Sequence, residues 1–571
     1  MGNAQLGPEQ RRDAWRRLRT DTFDIVVVGG GVTGAGVALD AATRGLRVAL
    51  LEARDFASGT SSRSSKLFHG GLRYLEQMNL GLVREALRER ELMLSRIAPH
   101  LVKPVQFLYP LTHRGWERPY VGAGLMLYDT MGGARSVPHH RHLTRHGARR
   151  LCPALKRDAL VGAVSYYDAH ADDARHTLTV ARTAAAYGAT VLNSAEVTGF
   201  QHAGERVVGV HVRDVETADE VSVQAPVVVN ATGVWTDEVQ TMAGGRGRFN
   251  VRASKGVHIV VPRDRINSET GLILRTERSV LFVVPWTTHW IVGTTDTDWG
   301  LDLAHPAASR ADIDYILDHV NAVLSVPLSH DDITGVYAGL RPLLAGEEEP
   351  TSQLSREHAV ARPQPGLVSI AGGKYTTYRV MAADAVDLAA RDISRHVPPS
   401  TTEHIPLVGA EGYHAMVNQA HAIADGHGLS PWQVHRLLDR YGTLTPDVLA
   451  MSADDASLLQ PVGEAQEYLG VEFAYAALHE SALHLDDLLA RRTRTSIETP
   501  GRGVESAQLV ARIVAPLLGW NDERRDIEVA AYEARVRAER ESQQQRADLD
   551  ADAARVAAPD TRKLAVGRAL R

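Results

Sequence analysis

Four closely spaced glycines, in Gly29-Gly30-Gly31-Val32-Thr33-Gly34, follow the apolar run Ile25-Val26-Val27-Val28 and open into a helix-compatible stretch reaching Thr43. A second apolar run, Val48 to Leu51, ends on Glu52. Strand, glycine turn, helix, strand and terminal acid in this order form a phosphate-binding unit. Gly29 permits the tight turn, Gly31 lets the backbone approach a pyrophosphate, and Gly34 lets the helix pack close to the strand. The pyrophosphate lies at the positive end of that helix. Glu52 stands where a carboxylate accepts hydrogen bonds from an adenosine ribose, which favours FAD or NAD over NADP. A merely structural glycine turn leaves the placed acid unexplained.

Two later turns extend this reading. Val227-Val228-Val229-Asn230-Ala231-Thr232-Gly233 is a further apolar strand closed by small residues. Its distance from the first turn favours FAD, with an inserted segment between the halves of the site. Val368-Ser369-Ile370-Ala371-Gly372-Gly373-Lys374-Tyr375-Thr376-Thr377-Tyr378-Arg379 again runs from strand through glycines into a helix start. Amides at such a helix N-terminus stabilise the anion that builds up when a flavin accepts a hydride. Cations occupy glycine-rich segments: Ser61-Ser62-Arg63-Ser64-Ser65-Lys66-Leu67-Phe68-His69-Gly70-Gly71-Leu72-Arg73-Tyr74-Leu75-Glu76, then Gly339-Leu340-Arg341-Pro342, then Ser355-Arg356-Glu357. Arginine forks grip phosphate in a bidentate manner, so a small phosphorylated substrate suits them.

The elements that must position these residues divide along the chain. At 571 residues, with 44% hydrophobic and 23% charged content, the chain is expected to form several soluble globular domains. A net charge of −6 gives no global attraction to nucleic acid. The one cysteine, Cys152, excludes an intramolecular disulfide and a cysteine-rich metal site, and no metal is expected. It reads as a small buried apolar residue, in keeping with a cytoplasmic setting. Residues 1–20 form a basic arm without a signal-peptide core, in which Trp15 and Leu18 are candidates to touch an anionic lipid surface, against the plainer reading of a solvated arm. Residues 21–400 read as mixed α/β, with strands such as 227–230, 258–261, 280–285 and 290–294. After the boundary at Pro398-Pro399-Ser400, residues 401–545 read as helical, with amphipathic helices over 413–427, 431–441, 464–490 and 505–540. Residues 546–571 read as a charged tail, fed by a helix that frays after about residue 539. No stretch approaches the roughly 20 apolar residues of a spanning helix.

Six spaced motifs resemble the FAD-dependent (respiratory) glycerol-3-phosphate dehydrogenases: the run from Ser61 to Glu76, Asp172-Asp173-Ala174-Arg175, Asn230-Ala231-Thr232-Gly233, Ile291-Val292-Gly293-Thr294-Thr295-Asp296, Gly339 to Pro342, and Gly372 to Arg379. The matches stay in order from about residue 22 to 385. The resemblance implies a Rossmann-type FAD domain, an antiparallel-sheet substrate domain of the glutathione-reductase or D-amino-acid-oxidase kind, and an all-α C-terminal cap. It implies oxidation of sn-glycerol 3-phosphate to dihydroxyacetone phosphate by hydride transfer from C2 to flavin N5. Electrons then pass to membrane quinone, with the protein peripheral on the cytoplasmic face and a homodimer compatible with the family pattern.

The site residues follow from this resemblance. His69 is a candidate base at C2, or a residue that packs against the flavin. Arg341 stabilises the developing alkoxide, and Lys374 faces substrate or flavin. Arg73, Tyr74 and Arg356 contact phosphate and hydroxyls, while Thr295 and Asp296 line the pocket. Gly29, Gly31, Gly34, Glu52, Ser61, Ser62, Ser65, Lys66, Val197, Ala231, Gly233, Gly373, Lys374 and Thr376 form the cofactor set. The apolar segment around residues 120–133 is a buried helix or a lipid or quinone contact. Rival readings are a glycerol-3-phosphate oxidase using oxygen, an FAD-dependent amine or alcohol oxidase, and a flavin-binding regulator without turnover.

Overall fold

The computed structural model describes residues 4–71, 79–132, 136–244, 250–276, 280–344 and 358–562. A six-stranded sheet carries the dinucleotide unit, in the order 358–364, 367–372, 227–230, 25–28, 48–51 and 190–192. Every neighbouring pair is parallel except the antiparallel edge strand 358–364. Its central strands are buried along their whole length, which is why they read as unbroken β-branched runs. Alternate residues serve opposite faces. Ile25, Val27, Val48 and Val229 pack under the helices Val32–Thr43, Asp173–Ala186 and Tyr378–Ala389. Val26, Val28, Ala49 and Val228 pack under a three-stranded antiparallel sheet of 195–203, 206–214 and 220–224.

The N-terminal arm differs from its solvated and lipid-facing readings. It is a helix, Pro8–Thr20, whose Ala14, Trp15 and Leu18 are buried in the second of those cores. Arg11 ties it down through the Asn193 carbonyl and Asp214, each at 2.6 Å. Arg12, Arg16 and Arg19 line the outer face while Trp15 and Leu18 are enclosed, so neither of these two is available to a membrane.

The second unit is a ten-stranded sheet running 297–299, 251–262, 289–293, 280–286, 271–275, 103–111, 162–170 and 67–68, with 335–344 paired to 251–262 and 141–144 to 162–170. It is antiparallel, as expected, apart from one parallel junction where Gly271 faces Phe107. The helix Arg310–Asn321 covers one face through Ile313, Ile316, Leu317 and Val320.

The C-terminal region is helical but divided more finely than its periodicity suggests. Residues 464–490 do not form one helix. A hairpin of Pro461–Val462 with Ala465–Leu469 precedes the helix Gly470–His479. The stretch 505–540 breaks at Gly519, giving Val504–Leu518 and an Asn521-capped helix Asp522–Ser542. The tail does not fray where expected: helix Asp548–Val556 folds back, Ala551 is buried, and Arg555 reaches Glu539 at 3.2 Å. Arg562 then binds Asp487 at 2.8 Å.

Candidate active site

The glycine turn is built as a cradle. Gly29 has φ +106°, and a Cβ there would lie 2.7 Å from the Ala231 carbonyl oxygen. A Cβ on Gly34 would lie 1.9 Å from the Gly29 carbonyl oxygen, which forces the helix against the turn. At Gly31 an added Cβ would approach only the Ser61 hydroxyl, at 3.2 Å. Ser61 Oγ accepts from the Val32 amide at 2.9 Å, at the positive end of the helix Val32–Thr43. Glu52 sits at the end of the neighbouring strand, its carboxylate held by the Gly30 amide at 2.6 Å and the Arg54 amide at 2.8 Å. Burial raises its pKa and the two amides oppose that rise. Ala231 donates its amide to the Val28 carbonyl at 2.9 Å, bringing the second small-residue turn beside the first, and Gly233 there has φ +60°. This donor set and open backbone fit the pyrophosphate and ribose of FAD.

A cavity of about 520 Å³ lies where the dinucleotide sheet meets the large sheet. Ser65, His69, Arg341, Gly373, Lys374 and Thr376, all expected in the site, line it. Arg341 enters from the strand 335–344, opposite Ser254. Its guanidinium donates to the Thr295 carbonyl at 3.3 Å and the Thr294 hydroxyl at 3.1 Å, with Asp296 at 3.5 Å. Gly256 makes room for it, since a Cβ there would lie 2.6 Å from an Arg341 nitrogen. The Thr376 hydroxyl accepts from the His69 amide at 3.2 Å, which joins the helix start after Gly373 to the His69 loop.

Other expected site residues take different places. Thr295 and Asp296 do not line the cavity; Thr295 Oγ1 accepts the Val257 amide at 3.0 Å, and Asp296 holds Ser254 and Arg341. Thr294 is the residue of that strand end that faces inward. Lys66 turns away, its ammonium 2.7 Å from Asp173 and 3.0 Å from the Ser62 carbonyl. That same Ser62 carbonyl accepts from Arg494 of the C-terminal region at 3.2 Å. The Val197 side chain is buried in the core beneath the three-stranded sheet. Arg73, Tyr74 and Arg356 lie outside the described residues.

Sequence reasoning missed two inward groups. His258 lines the cavity from the strand 251–262, its Nε2 2.9 Å from Ser65 Oγ and its ring stacked on Tyr337 at 4.8 Å. Burial, reinforced by Arg341 and Lys66, holds its pKa well below that of an ordinary imidazole, so it is neutral at pH 7. It falls in a stretch legible as a strand, but nothing local marks that strand as facing a site. Asp168 also lines the cavity and anchors its floor. It pairs with Arg90 at 2.7 Å and accepts from Tyr128 at 2.5 Å, and the Tyr128 oxygen accepts the Gly70 amide at 2.9 Å. These contacts fix the loop that carries His69.

A glycine cradle facing a strand-lined cavity, with an inserted sheet between the halves of the dinucleotide unit, defines a two-part flavin-dependent oxidoreductase. Comparison with known proteins agrees. The family described as FAD dependent oxidoreductase matches residues 24–379, and the C-terminal domain of alpha-glycerophosphate oxidase matches residues 400–525. Glycerol-3-phosphate dehydrogenase 2 of Mycobacterium tuberculosis is 65% identical over 98% of this chain and 96% of its own. The mitochondrial glycerol-3-phosphate dehydrogenase of Bos taurus is 36% identical over 89% of this chain and 72% of its own. The solved glycerol-3-phosphate dehydrogenase of Bacillus halodurans, complexed with FAD, is 29% identical, with a TM-score of 0.77 over 94% of this chain and 98% of that one. The chain therefore belongs to the glycerol-3-phosphate dehydrogenase family of FAD-dependent oxidoreductases, and FAD is its cofactor.

Proposed function

We propose that the chain oxidises sn-glycerol 3-phosphate to dihydroxyacetone phosphate and passes the electrons to membrane quinone. The observation that carries this reading is the cavity, which sets Arg341 and Lys374 with His69 and His258 around one space of about 520 Å³ beside the glycine cradle. The relatives' names supply the substrate. When bound, FAD supplies the two-electron acceptor that takes the hydride from C2. The residues of the chain do the rest. His69 removes the C2 hydroxyl proton. Arg341, fixed by Thr294, the Thr295 carbonyl and Asp296, stabilises the oxygen as charge builds on it. His258, neutral and bonded to Ser65, positions that hydroxyl without adding a competing charge. Lys374, with Arg73, Tyr74 and Arg356, holds the phosphate and hydroxyls.

Contact with a membrane is assigned to the helix Glu117–Gly132. Val121, Leu125 and Tyr128 face the core, whereas Tyr120 and Met126 are 50% and 63% exposed; the exposed Trp116 stands against Tyr120 at 6.0 Å between ring centroids, with the exposed Arg114 just before it in the chain. An aromatic and apolar face flanked by arginine suits a bilayer interface. The attachment proposed is peripheral, on the cytoplasmic face; among the described residues no helix is long and apolar enough to cross a membrane.

A turnover assay tests the proposal. Glycerol 3-phosphate with a soluble quinone should turn over, and glycerol should not. The match of residues 400–525 to an oxidase's C-terminal domain sustains the oxygen-linked alternative. Stoichiometric hydrogen peroxide without quinone turnover would establish that alternative. Absence of turnover with either acceptor would remove the substrate assignment.

A further inference from the structure

Beside the loop Ser58–Arg63, two crevices of about 60 and 80 Å³ open between the cofactor loop, the segment 304–308 and the C-terminal helices. Arg63, His305, Arg491, Arg535 and Arg555 line both. Four of these already have carboxylate neighbours. Arg491 meets Asp55 at 2.6 Å and Asp486 at 2.7 Å, Arg535 and Arg555 share Glu539 at 3.0 and 3.2 Å, and His305 lies 3.8 Å from Asp560. Arg63 differs. Among the described residues no carboxylate lies within ion-pair reach of it, and its side chain donates to the Ala304 carbonyl at 3.2 Å. Its guanidinium stands in the repulsive field of Arg555, Arg491 and Arg535, which adds to burial in pushing its pKa down to about 9. The acids that line the first crevice already have partners, Asp486 and Asp560 within the crevice: Asp486 is held by Arg491 and Arg535, Glu528 by His484 and Arg524, and Asp560 by Arg54. A half-buried guanidinium surrounded by like charge lacks one component, an anion.

We propose that this arginine-walled crevice binds a free tetrahedral oxyanion of the inorganic phosphate class, ligated by Arg63 and Arg555 and tying the C-terminal domain to the cofactor loop. The space admits an ion of that size. Planar guanidinium forks are the side chains best matched to its oxygens. The site is separate from the pyrophosphate cradle at Gly29–Gly34 and from the phosphate subsite of the main cavity. Arg63 nevertheless lines the main cavity as well, so an ion here would bear on the loop that carries Ser61 and Ser65.

Titration calorimetry of the FAD-saturated protein with inorganic phosphate, at ionic strength held constant with sodium chloride, tests the proposal. Two binding events are expected. One is lost in Lys374→Gln. The other survives in that variant and weakens at least tenfold in Arg63→Gln and in Arg555→Gln. A single event, abolished by Lys374→Gln and unchanged in Arg555→Gln, would overturn it. Hydrogen exchange of the wild-type protein needs no variant to fold. Phosphate should slow exchange across residues 535–562, and exchange unaltered there would equally overturn the site.

Discussion

Replacing Asp173 with Asn removes the charge on which the cofactor loop and the C-terminal domain converge. One oxygen of this buried carboxylate accepts from Lys66 at 2.7 Å and Arg494 at 2.5 Å, and the other from the Ser64 amide at 2.9 Å and hydroxyl at 2.7 Å. The Lys66 and Asp173 side chains are 0% and 1% exposed. Breaking one side of a buried pair costs about 3–5 kcal/mol, because the other charge is left without compensation. Two features place Asp173→Asn at the lower end. Arg494 keeps Asp172 at 2.5 Å, and Lys66, whose pKa burial and Arg494 already lower to about 8, can release its proton. At about 2.1 cal/mol/K per residue, a loss of about 3 kcal/mol corresponds to a fall in unfolding midpoint of about 2.5–4 °C, whether the whole chain or the FAD region alone melts as one unit. Differential scanning fluorimetry, read together with flavin release, measures it. Adding Lys66→Met should restore at least half of the loss, since an apolar neighbour no longer needs a counter-charge. A shift below about 1 °C with unchanged flavin retention, or no recovery in the double variant, would refute the reasoning.

Further outcomes are expected. Arg341→Ala should lower kcat by at least about a hundredfold, the scale of one lost charge-stabilising donor, while the flavin stays bound; near-normal turnover would remove Arg341 from the chemistry. Gly34→Ala should abolish FAD binding, because its Cβ would fall 1.9 Å from the Gly29 carbonyl oxygen, and a yellow purified variant would contradict that geometry. His484, between Glu528 at 2.9 Å and Glu216 at 3.0 Å, has its pKa raised to about 10 by those carboxylates against the cost of burial. Since the folded value lies above the unfolded one, its contribution is complete below about pH 6.5 and is lost as pH rises through 10. Unfolding midpoints should therefore fall across that window in the wild type and remain flatter in His484→Gln.

The dinucleotide unit was legible because parallel strands buried on both faces are written as apolar runs, and because only glycine fits at Gly29 and Gly34. The hairpin at 461–469 was not legible: Glu464, Ala465, Gln466 and Glu467 are good helix formers, and pairing around the Gly463 turn overrides their preference. The docked tail escaped for another reason. Charge-rich composition suggests solvent, yet Arg555 and Arg562 are buried against Glu539 of the preceding helix and Asp487, 75 residues earlier. In the site, Arg341 and Lys374 lie within motifs, whereas Asp168 and His258 gain their roles only when strands 162–170 and 251–262 join one sheet. Lys66 illustrates the reverse. It belongs to a cofactor-like motif, but its positive φ of 59° and its pairing with Asp173 aim the ammonium at the C-terminal domain.

The central claim is that this cavity oxidises a phosphorylated polyol at the expense of FAD. Its most direct test is the anaerobic visible spectrum of the purified protein during titration with sn-glycerol 3-phosphate. The account predicts flavin bands that bleach with glycerol 3-phosphate and persist with glycerol. Bands that persist with both would contradict it.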